Sequence, residues 1–352
     1  MTSIKLGKAK IDDFSKPYII AEVGVNHECS LSKAKKLVFL AKKGGADAVK
    51  FQTYKAEKIA SKNSPSYWDT KKEKTKNQYD LFKKLDKFDK PEYEKIKKYC
   101  SKLKIEFCST PFDHDSVDLL NPLVNFYKIS SSDITNFPLI KKISKKKKPI
   151  LLSTGGATLN EIKSALSLIR KTSNSKVVLM HCILNYPTTN KDANLRMIKS
   201  LKTEFPNNIV GYSDHTMPCK DMLNLCTAYS MGAIIIEKHF TDNKNKKGND
   251  HYHAMDYKDL RKFISNARKI FDIVGKYKKK TFIKSELISR RNARRSIVLN
   301  NDVKKGQKVK KNNLICKRPG TGISPIYFNK IIGKKYKKNI LADTILQWKN
   351  II

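Results

Sequence analysis

The run Ala233-Ile234-Ile235-Ile236-Glu237-Lys238-His239 passes from apolar to ionisable residues with no turn residue between them. An apolar run of this kind suits a strand buried on both faces, so the charged groups stand at the strand's end. VGYSDH (210–215) has the same form and ends in Asp214 and His215. Two imidazoles converging from neighbouring strands can bind a divalent metal and leave positions open for substrate and water. Asp214 and Glu237 accompany His215 and His239 there. Lys50 lies in AVKFQ (48–52) and Lys128 in FYKISS (126–131). A buried ammonium is costly without an anion beside it. With the hydroxyls of Thr110, Ser131 and Ser153, the two lysines describe a pocket for phosphate and carboxylate groups. Alternatively, one of them forms a Schiff base with a carbonyl substrate. Glu22, Glu237 and Asp250 are carboxylates suited to proton transfer or hydroxyl recognition.

The elements that must position these groups recur along the chain. Short β-branched runs occupy 18–24, 48–52, 106–110, 126–131, 149–154, 177–182, 210–215 and 233–240. Segments of helical period separate them: Leu31, Ala34, Leu37, Val38 and Ala41, then Leu159, Ile162, Ala165, Leu166 and Ile169, then Leu260, Phe263, Ile264, Ala267 and Phe271. Thr158 to Glu161 forms a capping box. Eight strands alternating with helices predict an α/β fold, a (β/α)8 TIM barrel closing near residue 275. In that fold the active site lies at the C-terminal strand ends. All seven histidines (27, 114, 181, 215, 239, 251 and 253) fall at such an end or in the loop after it. The long connection between the second and third strands, with Tyr67-Trp68, predicts a lid or an extra helix.

From about residue 285 the pattern changes to short strands with Asn-Asn-Asp and Lys-Lys-Gly turns, which predicts a small C-terminal β-rich domain over 285–352 after a barrel domain over 1–284. The net charge is +41, carried mostly by lysine, since only nine of the 73 basic residues are Arg. The lysines are spread along the whole chain, and no aromatic-basic interleaving marks an RNA-binding surface. The charge therefore reads as solvated surface that favours an anionic substrate, with neither nucleic acid nor membrane as partner. A basic nucleic-acid-binding protein is the rival from another class, and it leaves the polar strand ends unexplained. Seven scattered cysteines without a C-x-x-C pair argue against a disulfide framework. No apolar run is long enough to span a membrane, and no signal-peptide core precedes the first strand, so a cytoplasmic location is expected.

Together these stretches resemble the sialic acid synthase family of N-acetylneuraminate, legionaminate and pseudaminate synthases. The matching segments are IIAEVGVNHE (19–28), GADAVKFQTYKAE (45–57), IEFCSTPFD (105–113), YKISSSDITN (127–136), PILLSTGGATLNEI (149–162), HCILNYPT (181–188), VGYSDHT (210–216), IIEKHFTD (235–242), GNDH (248–251) and KRPGTG (317–322). The resemblance implies a barrel followed by an antifreeze-like (SAF) domain, in a domain-swapped homodimer. It implies condensation of phosphoenolpyruvate with the open-chain aldehyde of an N-acyl mannosamine-type sugar, giving a nine-carbon 2-keto acid and phosphate. N-acetylneuraminate or N,N'-diacetyllegionaminate is the expected product. A divalent metal, Mn or Mg, is expected on His215 and His239. Phosphoenolpyruvate is expected on Lys50, Gln52, Thr110, Lys128, Ser131, Ser153 and Ser213. The sugar is expected on Glu22, Tyr186, Asp250 and, from the partner subunit's small domain, the residue corresponding to Arg318. Glu237, Glu22 and Asp250 are the expected catalytic carboxylates. Two positions depart from the family pattern. Ser132 replaces a glycine that lets a ligand approach the backbone. Leu184 stands where a Ser or Asn often touches the phosphate, so a donor is lost or Asn185 replaces it.

Overall fold

The computed structural model describes residues 2–248, 250–275, 277 and 279–352. Asn249, within the GNDH stretch, lies outside them. The chain forms two compact units, residues 1–275 and 276–352.

The first unit opens with a hairpin, β1 (Ser3–Leu6) and β2 (Ala9–Asp12), in which Ile4, Leu6 and Ile11 are buried. The only local signal is an apolar alternation on either side of Gly7, whose φ of +58° suits a tight turn. Eight parallel strands follow: β3 (Tyr18–Gly24), β4 (Ala48–Thr53), β5 (Glu106–Pro111), β6 (Tyr127–Ile129), β7 (Ile150–Ser153), β8 (Val177–His181), β9 (Ile209–Asp214) and β10 (Ile235–His239). Their order is β5-β4-β3-β10-β9-β8-β7-β6. The outermost two, β5 and β6, lie side by side, so the sheet is a nearly closed barrel. The strands are buried on both faces, as parallel strands under a helical layer must be.

The helices turn their predicted stripes inward. Ala34, Leu37, Val38 and Ala41 are buried along Leu31–Gly44, and Ile162, Ala165, Leu166 and Ile169 along Leu159–Thr172. The second of these begins with the expected capping box: Glu161 N–H donates to Thr158 Oγ1, and Thr158 N–H to the Glu161 carboxylate. The long β4–β5 connection carries two additional helices, Ala56–Ile59 and Gln78–Leu85, before the regular barrel helix Lys90–Leu103.

The second unit is small, built on the antiparallel pair β11 (Ser296–Leu299) and β12 (Leu314–Lys317), isolated bridges and short helical turns around a core of Ile297, Leu299, Val309 and Tyr336. Arg318 is exposed in this unit, ahead of a cis peptide to Pro319.

Candidate active site

Register and alternation decide which strand-end groups meet. Side chains alternate between the two faces of a strand. On β10, Glu237 and His239 therefore point one way and Lys238 the other. Lys238 is fully buried, donating to Asp214 Oδ2 at 2.7 Å and to the Thr216 carbonyl at 2.6 Å. Asp214 also accepts from the Tyr212 hydroxyl and the Thr216 N–H. The expectation that Asp214 accompanies the histidine pair is thus overturned: it faces away, into a buried ion pair. Ser213 and Glu237 are register partners on the other face, and Ser213 Oγ donates to Glu237 Oε1 at 2.9 Å.

A cavity of about 780 Å³ opens at these strand ends. Glu22, Lys50, Gln52, Thr110, Lys128 and Ser131 line it. Ser153, Tyr186, Ser213, His215, Glu237, His239 and Asp250 complete the predicted set. Arg318 belongs to the other compact unit. The β4–β5 connection adds Ile59, Tyr67, Leu81 and Phe82 to the lining, a contribution the sequence placed only loosely.

The polar floor is a network of two lysines and two glutamates. Lys50 Nζ lies 2.6 Å from Glu22 Oε2 and 3.7 Å from Glu237 Oε1, and donates to Thr110 Oγ1 at 3.0 Å. Lys128 Nζ lies 3.5 Å from the same Glu237 oxygen. Gln52 Nε2 donates to Glu22 Oε1 at 3.1 Å. Burial pushes Glu22 up to about 7, against the pull of Lys50 and with a further push from Glu237. Burial also works to raise Glu237, but Lys128 and Lys50 outweigh it and hold this carboxyl below its ordinary value. Burial lowers Lys50, yet Glu22 and Glu237 overcome it and leave the ammonium harder to deprotonate than usual.

Beside this network, Ser153 Oγ is buried without a hydrogen-bond partner. A buried hydroxyl left unpaired is costly, and an anion arriving beside it would satisfy it. Ser131 Oγ accepts from the Gly155 N–H at 3.0 Å and lies 2.8 Å from Cys182 Sγ. Ser132 and Leu184 both line the cavity, and Ser132 Oγ donates to Ser130 Oγ at 3.0 Å. The Asn185 carbonyl accepts from Thr188 Oγ1, and Asn185 is not among the described lining residues. Close approach to the backbone occurs instead at Gly155, where a Cβ would fall 2.6 Å from Cys182 Sγ and 2.9 Å from Ser131 Oγ.

The histidines form a second cluster. The rings of His215 and His239 are 5.8 Å apart. The Tyr186 ring packs against that of His215 at 4.1 Å, tilted by 35°, and Tyr67 reaches Tyr186 at 6.2 Å. His215 Nδ1 lies 2.7 Å from the Ile183 carbonyl, an acceptor, so Nδ1 carries the proton and Nε2 keeps its lone pair. Burial lowers His215 to about 4, and burial, with His253 and His215 adding, holds His239 well below its usual range. Both are therefore neutral at physiological pH, the form that binds metal. His239 Nδ1 is buried without a hydrogen bond and faces Asp250 Oδ2 at 3.5 Å. Neutral imidazoles and an adjacent carboxylate suit a divalent cation. The other strand-end histidines do different work. His181 contacts the Ala193 carbonyl and stacks on Tyr212, His27 stacks on Phe88, and His114 is exposed.

Gly24 ends β3 at a register shift with φ +52°, a conformation that favours glycine. A Cβ there would sit 3.2 Å from Glu22 Oε1, 3.3 Å from Gln52 Nε2 and 3.5 Å from Asp250 Oδ2. A side chain at this position would therefore press on three residues that line the cavity.

The NeuB family matches residues 37–279, and the SAF domain matches residues 294–352. The chain is 39% identical over 341 residues to the N,N'-diacetyllegionaminic acid synthase of Legionella pneumophila, covering 95% of this chain and 94% of that one. It is 39% identical over 338 residues to the protein of the same name from Campylobacter jejuni, covering 94% and 99%. Its structure is similar to that of the N-acetylneuraminic acid synthetase of Leptospira borgpetersenii, solved with citrate: TM-score 0.73, 32% identity, 82% of this chain and 95% of that one.

Proposed function

We propose, because the chain belongs to the NeuB family, that it is a nonulosonic acid synthase. It condenses phosphoenolpyruvate with an N-acyl mannosamine-type sugar aldehyde, and the product is a nine-carbon 2-keto acid with release of phosphate. Among products of this class the reading favours N,N'-diacetyllegionaminate over N-acetylneuraminate, on the strength of the two legionaminic acid synthases named above.

One observation carries the reading. Two buried lysines and the unpaired Ser153 hydroxyl stand at one end of the cavity, with paired neutral histidines beside them. The lysines with Gln52, Thr110, Ser131, Ser153 and Ser213 form the phosphoenolpyruvate end. Ammoniums paired, among the described residues, with Glu22 and Glu237 gain from a ligand that brings several negative charges. Glu22, Tyr186 and Asp250 form the sugar end, with Arg318 contributed across a domain-swapped homodimer.

His215 and His239 are the residues that would hold a divalent cation. When bound there, it polarises the sugar aldehyde oxygen as a Lewis acid. The chain's own residues do the rest. The phosphoenolpyruvate end orients the enol C3 toward the aldehyde carbon, which shortens the approach and removes a bimolecular entropy cost. C3 then bonds to that carbon, and water adds at C2 as phosphate leaves. Glu22, pushed up to about 7, can hold a proton during these steps, whereas Glu237 is held ionised by both lysines and serves as the acceptor beside them.

A Schiff-base aldolase is the second reading. It requires a lysine that loses its proton easily. Lys50 has the opposite bias, since Glu22 and Glu237 stabilise its ammonium. The deciding experiment is phosphate release by EDTA-stripped protein given phosphoenolpyruvate and either N-acetylmannosamine or its 2,4-diacetamido-6-deoxy analogue, with and without Mn. Release that needs sugar and metal supports the synthase, and the better sugar identifies the product. Borohydride trapping with pyruvate and no metal requirement would replace it with the aldolase.

A further inference from the structure

Three neighbouring strand ends meet at the Ser131 hydroxyl. Ser131 follows β6, Gly155 follows β7 and Cys182 follows β8. The Gly155 N–H donates to Ser131 Oγ at 3.0 Å, and Cys182 Sγ lies 2.8 Å from the same oxygen, both contacts being buried. Cys182 also lines the cavity. The arrangement is fixed by packing: a Cβ at Gly155 would strike the sulfur, the Ser131 oxygen and the Leu184 backbone N together. Thr154 holds the β7 end to β8, since its N–H and its hydroxyl both donate to the Met180 carbonyl.

A hydroxyl has one proton to give and two lone pairs to fill. The Gly155 N–H fills one lone pair of Ser131. If Ser131 gave its proton to the sulfur, a weak acceptor, an anion arriving in the cavity would meet only a lone pair. If the thiol donates instead, both lone pairs are filled and the hydroxyl proton stays free for a charged oxygen, the stronger of the two bonds. Burial raises the Cys182 thiol above its ordinary value, so it keeps a proton to donate. We propose that Cys182 is a positioning residue for phosphoenolpyruvate: its thiol donates to Ser131 Oγ and thereby leaves the Ser131 proton for an oxygen of the bound anion. With Ser153, whose Oγ has no partner, Ser131 then offers two hydroxyl protons in the cavity that holds Lys50 and Lys128. They stand beside Leu184, whose side chain has no donor.

The inference rests on the synthase reading for the identity of the anion. It is tested by calorimetric titration of the full-length protein with phosphoenolpyruvate. The parent is compared with Cys182→Ala, Cys182→Ser, Ser131→Ala and the double variant Ser131→Ala/Cys182→Ala, with melting temperatures recorded alongside. Cys182→Ala is expected to weaken binding about five- to tenfold, the worth of one hydrogen bond. Cys182→Ser keeps a donor and is expected to stay within about twofold of the parent. The double variant is expected to bind no more weakly than Ser131→Ala, because the thiol acts only through that hydroxyl. Additive losses, or a Cys182→Ser protein as weak as Cys182→Ala, would reduce the thiol to packing and overturn the proposal. So would a Cys182→Ala protein that binds as the parent does. If the alanine variants do not fold, Cys182→Ser decides alone: parent-like affinity supports the proposal and a tenfold loss overturns it. A parent protein that binds no phosphoenolpyruvate fails the synthase reading itself, which is a different result from a parent that binds and a Cys182→Ala variant that binds equally well.

Discussion

Lys50 on β4 and Glu22 on β3 are register partners whose charged atoms lie 2.6 Å apart, both almost completely buried. A buried pair can cost as much to desolvate as it returns, but removing one partner leaves an uncompensated charge. Lys50→Met is therefore expected to destabilise the fold by about 3–5 kcal/mol and to weaken phosphoenolpyruvate binding. Denaturant unfolding and calorimetric titration check both. An unchanged affinity in the folded variant would remove Lys50 from the anion site.

Glu22 supplies a pH signature. Its folded value is about 7, above the ordinary 4.5, with burial the main cause. Between those values the native protein holds a proton that the unfolded chain has lost. Stability of the ligand-free protein is therefore fullest below about 4.5 as far as this group is concerned, and falls as pH rises toward 7. Glu22→Gln should flatten that decline. Unfolding midpoints from pH 5 to 8 test it, and parallel curves for parent and variant would assign the slope elsewhere.

Gly24→Ala would introduce a Cβ against Glu22, Gln52 and Asp250 while forcing a left-handed backbone on alanine. The backbone strain is of order 1–3 kcal/mol. We expect a loss of stability within that range and a larger proportional loss of kcat/KM for the sugar, because Glu22 and Asp250 would be displaced. Equal losses for sugar and phosphoenolpyruvate would mean a general distortion.

Asp214 and Lys238 form the contrasting pair. They close strand ends, as Glu237 and His239 do, but on the opposite face. Lys238→Met should lower the unfolding midpoint, with a cost of about 3–5 kcal/mol, yet leave the KM for phosphoenolpyruvate in the folded protein unchanged. A tenfold rise in KM would show that this pair communicates with the cavity.

Tyr67 tests the β4–β5 connection. It is the residue of that connection that reaches Tyr186, which in turn covers His215. Tyr67→Ala is expected to raise the KM for the sugar several-fold, with the affinity for phosphoenolpyruvate preserved. Steady-state kinetics with each substrate varied in turn read the difference.

The sequence by itself determined the barrel and the end of it that carries the chemistry. Apolar runs followed by ionisable residues can satisfy both halves only as buried strands whose tips meet a polar cavity, and the 3.6-residue stripes between them fit only an outer helical layer. That is why Lys50, Lys128, Ser153, His215, Glu237 and His239, all near strand ends in the sequence, line one cavity. The tertiary structure decided which neighbours share a face. Asp214 follows Ser213 directly, yet strand alternation sends Asp214 to Lys238 and Ser213 to Glu237. It also decided what the connections contribute. His253 and Asp250 stand beside His239, and Tyr67 beside Tyr186, because loops fold back over the strand ends, and no periodicity in a loop records where it returns.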